Sequence, residues 1–325
     1  MRGVLAVSFP IDAEQQASLA QATGAEILAL HGLEPAARAE ALRRAAVVLA
    51  RNTDVELKPE ERPLLANLKL LQFITAGVDY ITLSDLPANL PIACNGGAYA
   101  EPMAEHAVAM AFAAAKRLLI EHANLTKGTF NQFVPNRMLF GAVCGVLGFG
   151  GIGVATARRM RALGLKVHAI NRRGRSDEPV DWIGTPDRLD ELLRVSDVLV
   201  ISLPLTRRSE RMIGARELGL MKPDAILVNL ARGEIIDEEA LYAHVKANPR
   251  FTACIDAWWI EPVRHGRFAM DRPFLELPNV IASPHNSASV GGQREMALSA
   301  AAANCRRALA GEAPLHLIGL EERVR

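Results

Sequence analysis

The sequence predicts an α/β chain of two doubly wound parallel-sheet domains, and three observations predict it. Short apolar, β-branched runs alternate with stretches of helical periodicity. The length of 325 residues exceeds one ordinary domain and falls short of three, and 50% of the residues are hydrophobic, enough for two substantial cores. The runs read as strands are VLAVSF (4–9), AAVVLA (45–50), LLQFITA (70–76), AVCGVLG (142–148), KVHAI (166–170), DVLVISL (197–203), AILVNL (225–230) and VIASP (280–284). Near-continuous apolar runs separated by helix-length segments belong to parallel sheets covered by helices on both faces. No fixed-period repeat or low-complexity segment interrupts them.

Taken in order, MRGVLAVSFP is too short for a signal-peptide core and ends in Pro without a small-residue cleavage site, so it reads as the first strand. Pro87 to Pro91 and the turn Asn95-Gly96-Gly97 close an N-terminal block before a long apolar helix that begins near Glu101. The Ala-rich part of that helix, His106 to Ala115, is flanked by Glu105 and by Lys116 and Arg117. It falls short of the roughly 18 uninterrupted apolar residues of a membrane span and reads as a buried helix. The last helix, from about Gly291 to Leu309, follows the strand around Ile281 closely. Its return to the first domain would make that domain discontinuous.

Charge and cysteine usage narrow the function classes. Lys plus Arg number 37 against 36 Asp plus Glu, for a formal charge of +1, which gives no electrostatic reason to expect a nucleic-acid or anionic-membrane partner. Cys94, Cys144, Cys254 and Cys305 are widely spaced and form no CxxC pair. They read as reduced, mostly buried thiols of a cytoplasmic protein, with no metal site among them.

The first chemical signal follows the strand at 142–148. Gly148-Phe149-Gly150-Gly151-Ile152-Gly153 fits GxGxxG and leads into the helical stretch VATARRMRALG. Gly148 permits the tight turn, Gly150 lets backbone approach a pyrophosphate, and Gly153 lets helix and strand pack closely. The helix start then offers free N–H groups and a positive dipole end to the anion. A Rossmann-like dinucleotide site is expected here. The next strand, KVHAI, ends at Asn171, where an NAD-selective site would place Asp or Glu on the ribose hydroxyls. The sequence instead reads Asn171-Arg172-Arg173, which suits a 2′-phosphate and favours NADP(H) over NAD(H). The alternative is that both arginines are solvated and that NAD, or both forms, serve.

Three later segments stand out together: VNLARG (228–233), DAWWIEP (256–262) and SPHNSA (283–288). Singly, Arg232 reads equally well as a surface ion pair, Glu261 as a solvated acid and His285 as a structural histidine. Their order and context resemble the D-isomer-specific 2-hydroxyacid dehydrogenase family, which includes glyoxylate, hydroxypyruvate and phosphoglycerate dehydrogenases. The resemblance runs from about Leu68 to Ala288 through LKLLQFITAGVDYI, NGGAYAEPMAEH, the glycine loop, ISLPLT and MKPDAILVNLARGEIIDEEAL.

That resemblance implies hydride transfer between NAD(P)H and C2 of a small 2-oxo or 2-hydroxy acid of the glyoxylate or hydroxypyruvate type. Arg232 would bind the substrate carboxylate and carbonyl oxygen, His285 would be the acid or base, and Glu261 would hold and tune its imidazole. An imidazolium can protonate the oxygen that becomes negative as hydride arrives, and a neighbouring carboxylate raises its pKa. The backbone around Thr75, Ala76 and Gly77 would bind the substrate carboxylate. Arg51, after the strand at 45–50, would pair a second anionic substrate group if it points inward, and is a surface charge if it points outward. On the cofactor side the resemblance places Gly151 and Ile152 at the pyrophosphate, Leu203 and Pro204 beside adenine, and Asp256 near the carboxamide. Leu230, Ala231, Arg232, His285 and Ser287 complete that set. It further implies a discontinuous substrate domain, residues 1–97 and 287–325, a cofactor domain, 98–286, with both crossings beside the active cleft, and a homodimer formed through the cofactor domain, for which the helix after Glu101 is a suitable face.

Two departures from the family pattern stand out. Trp258 and Trp259 are bulkier than expected, and VRHGRFAMDR (263–272) is basic. These could reshape substrate or subunit contacts, or be a basic surface loop with one buried Trp. Formate dehydrogenases would pair the His with Gln, which Glu261 opposes. A phosphite dehydrogenase keeps the triad, and a C-terminal-binding-type corepressor keeps fold, cofactor and triad while acting by recruitment.

Overall fold

The computed structural model describes residues 3–323. The chain divides into two compact units, Met1–Tyr99 with Gly291–Arg325, and Ala100–Val290. Each is a parallel sheet with helices on its faces.

In the first unit the strands are β1 (Val4–Val7), β2 (Glu26–Ala29), β3 (Val47–Ala50), β4 (Leu70–Phe73) and β5 (Ile92–Ala93), in the order β2-β1-β3-β4-β5. Successive side chains on a strand point to opposite faces, and here both faces are core. Ala6, Val48 and Leu71 pack on one side with Leu42, Leu65 and Ile81. Leu5, Val7, Val47, Leu49 and Leu70 pack on the other with Leu298, Ala301 and Cys305 of the helix Gln293–Leu309. Each fully buried Leu or Val contributes roughly 1.5–3 kcal/mol. Asn304 of that helix donates to Gln72 Oε1 of β4 at 2.6 Å, inside the buried layer.

The second unit has seven strands: β6 (Val143–Leu147), β7 (Lys166–Ile170), β8 (Trp182–Gly184), β9 (Val198–Ile201), β10 (Ile226–Asn229), β11 (Thr252–Ile255) and β12 (Val280–Ala282). Their order is β12-β11-β10-β9-β6-β7-β8, all parallel. Leu147 pairs with Ile170 on one side and Ile201 on the other, so the strand order reverses direction at β6. Every carboxyl end lies on one edge, and ligands of such sheets gather outside that edge where the order reverses.

Eight of these strands were legible; β7 matches its run residue for residue and the other seven are somewhat shorter than theirs. The other four, β2, β5, β8 and β11, lack a long β-branched stretch: EILA, IA, WIG and TACI owe their strand state to pairing with a neighbour. Cys144, Cys254 and Cys305 are buried free thiols and Cys94 is partly exposed. Burial pushes the Cys144 and Cys305 thiols up to about 12. Among the described residues no helix is long and apolar enough to cross a membrane, and no group of three or more His, Cys, Asp or Glu could hold a metal ion.

Candidate active site

Within the second unit, the residues singled out in sequence stand immediately after the carboxyl ends of six strands. Gly148 follows β6, Asn171 follows β7, Leu203 and Pro204 follow β9, Leu230 to Arg232 follow β10, Asp256 follows β11, and His285 and Ser287 follow β12.

The glycine loop is built for close approach. Gly148 has φ +101°, and a Cβ there would lie 2.6 Å from Leu203 N. A Cβ at Gly153 would lie 2.3 Å from Gly148 O. At Gly150 a Cβ would meet no atom within 4 Å, and Gly150 caps the helix Gly151–Ala162 without any side-chain acceptor. The first-turn N–H groups around Gly151 and Ile152 are therefore left for an anion. Ser287 adds a buried Oγ with no hydrogen-bond partner among the described residues. These features fit a dinucleotide. At the end of β7, Asn171 Oδ1 accepts from Arg173 N at 2.9 Å and its Nδ2 donates to Arg175 O at 2.9 Å. Asn171 thus spends its amide on shaping the turn, and Arg172 and Arg173 are exposed on it.

Glu261 and His285 are brought together. His285 Nδ1 lies 2.8 Å from both Glu261 Oε1 and Oε2. His285 has φ +49°, an uncommon conformation for a residue with a Cβ, and its N–H is tied to Asp256 O at 2.9 Å. Glu261 is 6% exposed. Burial pushes its carboxyl up, but the His285 hydrogen bond and charge, the Trp258 N–H at 2.7 Å and the Arg232 cation together hold it below the ordinary carboxylate range. Arg232 Nη1 donates to Ala231 O at 2.7 Å, and Asn229 Nδ2 anchors Arg232 O at 2.9 Å. Leu230 and Ala231 are buried beneath it.

Asp256 is fully buried and accepts from Ser283 Oγ at 2.5 Å, Asn286 N at 3.1 Å and Ser287 N at 3.4 Å. His106 Nε2 lies 3.0 Å from Ser283 Oγ, so the hydroxyl links a partly exposed imidazole to the buried carboxylate. Sequence reading missed this link. His106 stands in NGGAYAEPMAEH, but only the packing of the helix Ala100–Ala115 beside β10 and β11 brings it to Ser283.

Residues 263–272 are mostly exposed and follow one buried Trp, as the surface-loop alternative has it, with Arg264 an exception. Trp258 is 3% exposed and donates Nε1–H to Ser283 O at 2.9 Å; Trp259 donates to Ile236 O at 2.8 Å and stacks on Phe274. Each indole ties the Glu261 segment to a neighbouring segment, one bearing His285 and the other Arg232. Arg264 is nearly buried and paired with Glu234.

In the first unit, Thr75, Ala76 and Gly77 follow β4, and Thr75 Oγ1 is buried with no partner among the described residues. Arg51 follows β3 on the same edge, with its guanidinium 5.0 Å from the centre of the Phe9 ring and its N–H on Glu56 Oε2 at 2.9 Å. Arg51 is exposed, resting over that ring.

The model of the D-isomer specific 2-hydroxyacid dehydrogenase, NAD binding domain, matches residues 108–287. A hydroxypyruvate reductase of Thermotoga maritima is 32% identical over 226 residues, covering 69% of this chain and 72% of that protein. The chain belongs to the D-isomer specific 2-hydroxyacid dehydrogenase family. A glyoxylate reductase of Thermococcus gammatolerans is 36% identical over 183 residues, covering 56% of this chain and 53% of that protein, so the match spans about half the length of that relative. A crystal structure from Pyrobaculum aerophilum, described provisionally as a formate dehydrogenase, superposes with a TM-score of 0.81 at 26% identity and covers 100% of both chains. The family's NAD-binding domain, the open glycine loop and the uncapped helix agree on a nicotinamide cofactor.

Proposed function

We propose that this chain interconverts small 2-oxo and 2-hydroxy acids of the glyoxylate or hydroxypyruvate type, with His285 as the acid and base. The observation that carries this reading is the His285–Glu261 contact at the same sheet edge as the glycine loop. Glu261 takes Nδ1, which leaves Nε2 as the working nitrogen. When bound, the reduced cofactor supplies a hydride to C2. In reduction His285 Nε2 gives its proton to the carbonyl oxygen, which completes the hydroxyl; in oxidation it takes that proton back. Arg232 supplies a fixed cation for the substrate carboxylate and for the charge that grows on the oxygen. Glu261, held ionised, stabilises the imidazolium that must exist before the proton is given. The loop Thr75 to Gly77 and Arg51 are assigned to the substrate side. His285→Ala and Arg232→Ala are each expected to lower kcat/KM for glyoxylate by at least about a hundredfold, the loss of a transition-state contact. Wild-type turnover in either variant would sink the assignment, and a chain that binds NAD(P)H but turns over no 2-oxo acid would favour recruitment.

For the cofactor we infer a preference for NADPH. The end of β7 offers Asn171, Arg172 and Arg173 and no carboxylate. Hydrogen bonds to charged groups contribute roughly 1.5–3 kcal/mol, about ten- to a hundredfold in affinity. The expected result is a higher kcat/KM with NADPH than with NADH, reversed by Asn171→Asp with Arg172→Ala. A preference for NADH in the unaltered chain under the same salt would refute it.

We further propose a homodimer. The apolar face of the helix Ala100–Ala115 is largely buried within its own unit, against the helix Gly151–Ala162. The exposed apolar residues lie just beyond it, in Leu118, Leu125, Phe130, Phe133, Met138 and Phe140, with Phe133 91% exposed. The proposed dimer would cover this run of exposed apolar side chains. Sedimentation velocity should give twice the chain mass, falling to one chain in Phe133→Glu.

A further inference from the structure

We propose that Arg264 and Glu234 form a positioning pair that holds the turn carrying Arg232 against the turn carrying Glu261. The inference rests on the roles given above to Arg232, Glu261 and His285.

Glu234 stands two residues after Arg232, and Arg264 three residues after Glu261. Their contact is two-pronged: Nη1 reaches Glu234 Oε2 at 3.0 Å and Nη2 reaches Oε1 at 2.6 Å, with side chains 9% and 18% exposed. A planar fork on a carboxylate fixes orientation as well as distance. The two turns also meet backbone to backbone, since a Cβ on Gly233 would lie 2.4 Å from the carbonyl carbon of Trp258. The end of the short helix Pro262–His265 is clamped in turn onto Glu261. His265 Nδ1 accepts the Glu261 N–H at 3.0 Å, and His265 N donates to Glu261 O at 2.8 Å.

An ion pair of this burial is weak evidence for stability, because desolvation offsets its attraction. Geometry is what it can supply. Reacting groups displaced by about 1 Å lose on the order of a hundredfold in rate, and Arg232 and Glu261 lie on separate loops with no covalent link shorter than 29 residues.

The test compares Arg264→Ala, Arg264→Lys and the exchange Arg264→Glu with Glu234→Arg, alongside His285→Ala. The readouts are kcat, KM and pH profile with glyoxylate and NADPH, NADPH binding by fluorescence, melting temperature, and the His285 ring titration by NMR on histidine-labelled protein. Arg264→Ala is expected to lower kcat about tenfold or more and to move the alkaline limb and the His285 titration to lower pH, with NADPH binding unchanged. Arg264→Lys should recover part of the loss, and the exchange should outperform either of its single changes. A wild-type kcat, pH profile and His285 titration in Arg264→Ala would overturn the pair. So would a loss shared equally by NADPH binding and melting temperature, the mark of a merely structural role. If His285→Ala itself keeps wild-type turnover, the failure lies with the proposed reaction, and the NMR titration still judges the pair.

Discussion

The first strand-to-helix turn of each unit starts from the same topology and ends in opposite chemistry. β1 and β6 are both inner strands with a parallel neighbour on each side, and each runs into a helix. After β1 comes Ser8, whose hydroxyl donates to Glu56 at 2.6 Å, and the helix Ala13–Thr23 is capped by Asp12, with Oδ1 on Gln15 N at 2.8 Å and Gln15 Oε1 on Asp12 N at 3.2 Å. After β6 comes Gly148, in a left-handed turn, and the helix Gly151–Ala162 begins at Gly150 with no side-chain acceptor. One helix start is closed by the protein's own anion, while the other keeps its N–H groups for a ligand. A doubly wound sheet does not by itself make a cofactor site; two or three residues at the turn decide it.

The largest expected effect comes from closing the open turn. Gly150→Asp is sterically permitted, since a Cβ there meets nothing within 4 Å, and its φ of −101° suits any residue. The new carboxylate would accept the N–H groups meant for the pyrophosphate and repel the phosphates. Loss of one or two charge-assisted hydrogen bonds, roughly 1.5–3 kcal/mol each, predicts a NADPH dissociation constant raised at least about tenfold. The melting temperature should hold or rise, because the helix gains a cap. Binding within threefold of the unaltered chain, measured by fluorescence titration, would break the comparison.

The glycine loop could be read from sequence because its chemistry is local: three glycines between a strand and a helix specify a backbone path. The same holds for the eight strands with strong apolar runs. What escaped depends on partners distant in sequence. TACI becomes the strand β11 only because β10 and β12 flank it, and His106 reaches the site only through helix packing across 177 residues of sequence. Arg264 could not be told from the surface charges around it, because its place in a basic run hid its pairing with Glu234, 30 residues upstream. Arg51 shows the reverse case. Its position at a strand end was legible, but its resting place over the Phe9 ring was not, since cation–π contact leaves no spacing signature.

The smallest expected effect comes from opening the closed turn. Asp12→Ala removes the acceptor for Gln15 N and leaves one more helix N–H to water, a loss of about 1 kcal/mol, whereas Asp12→Gly costs only a few tenths because Gly is itself a tolerated cap. The melting temperature of the first unit should therefore fall more for Ala than for Gly. Neither variant should gain NADPH binding. Ser8 occupies the place of Gly148, and its hydroxyl stays committed to Glu56, so backbone and phosphate cannot approach as they can at a glycine with positive φ. If Asp12→Gly did acquire phosphate-dependent binding, the decisive element would be the cap alone and not the glycine turn. If Asp12→Ala left the melting temperature unmoved, the cap would be ornamental and the difference between the two turns would reside wholly in Gly148 and Gly150.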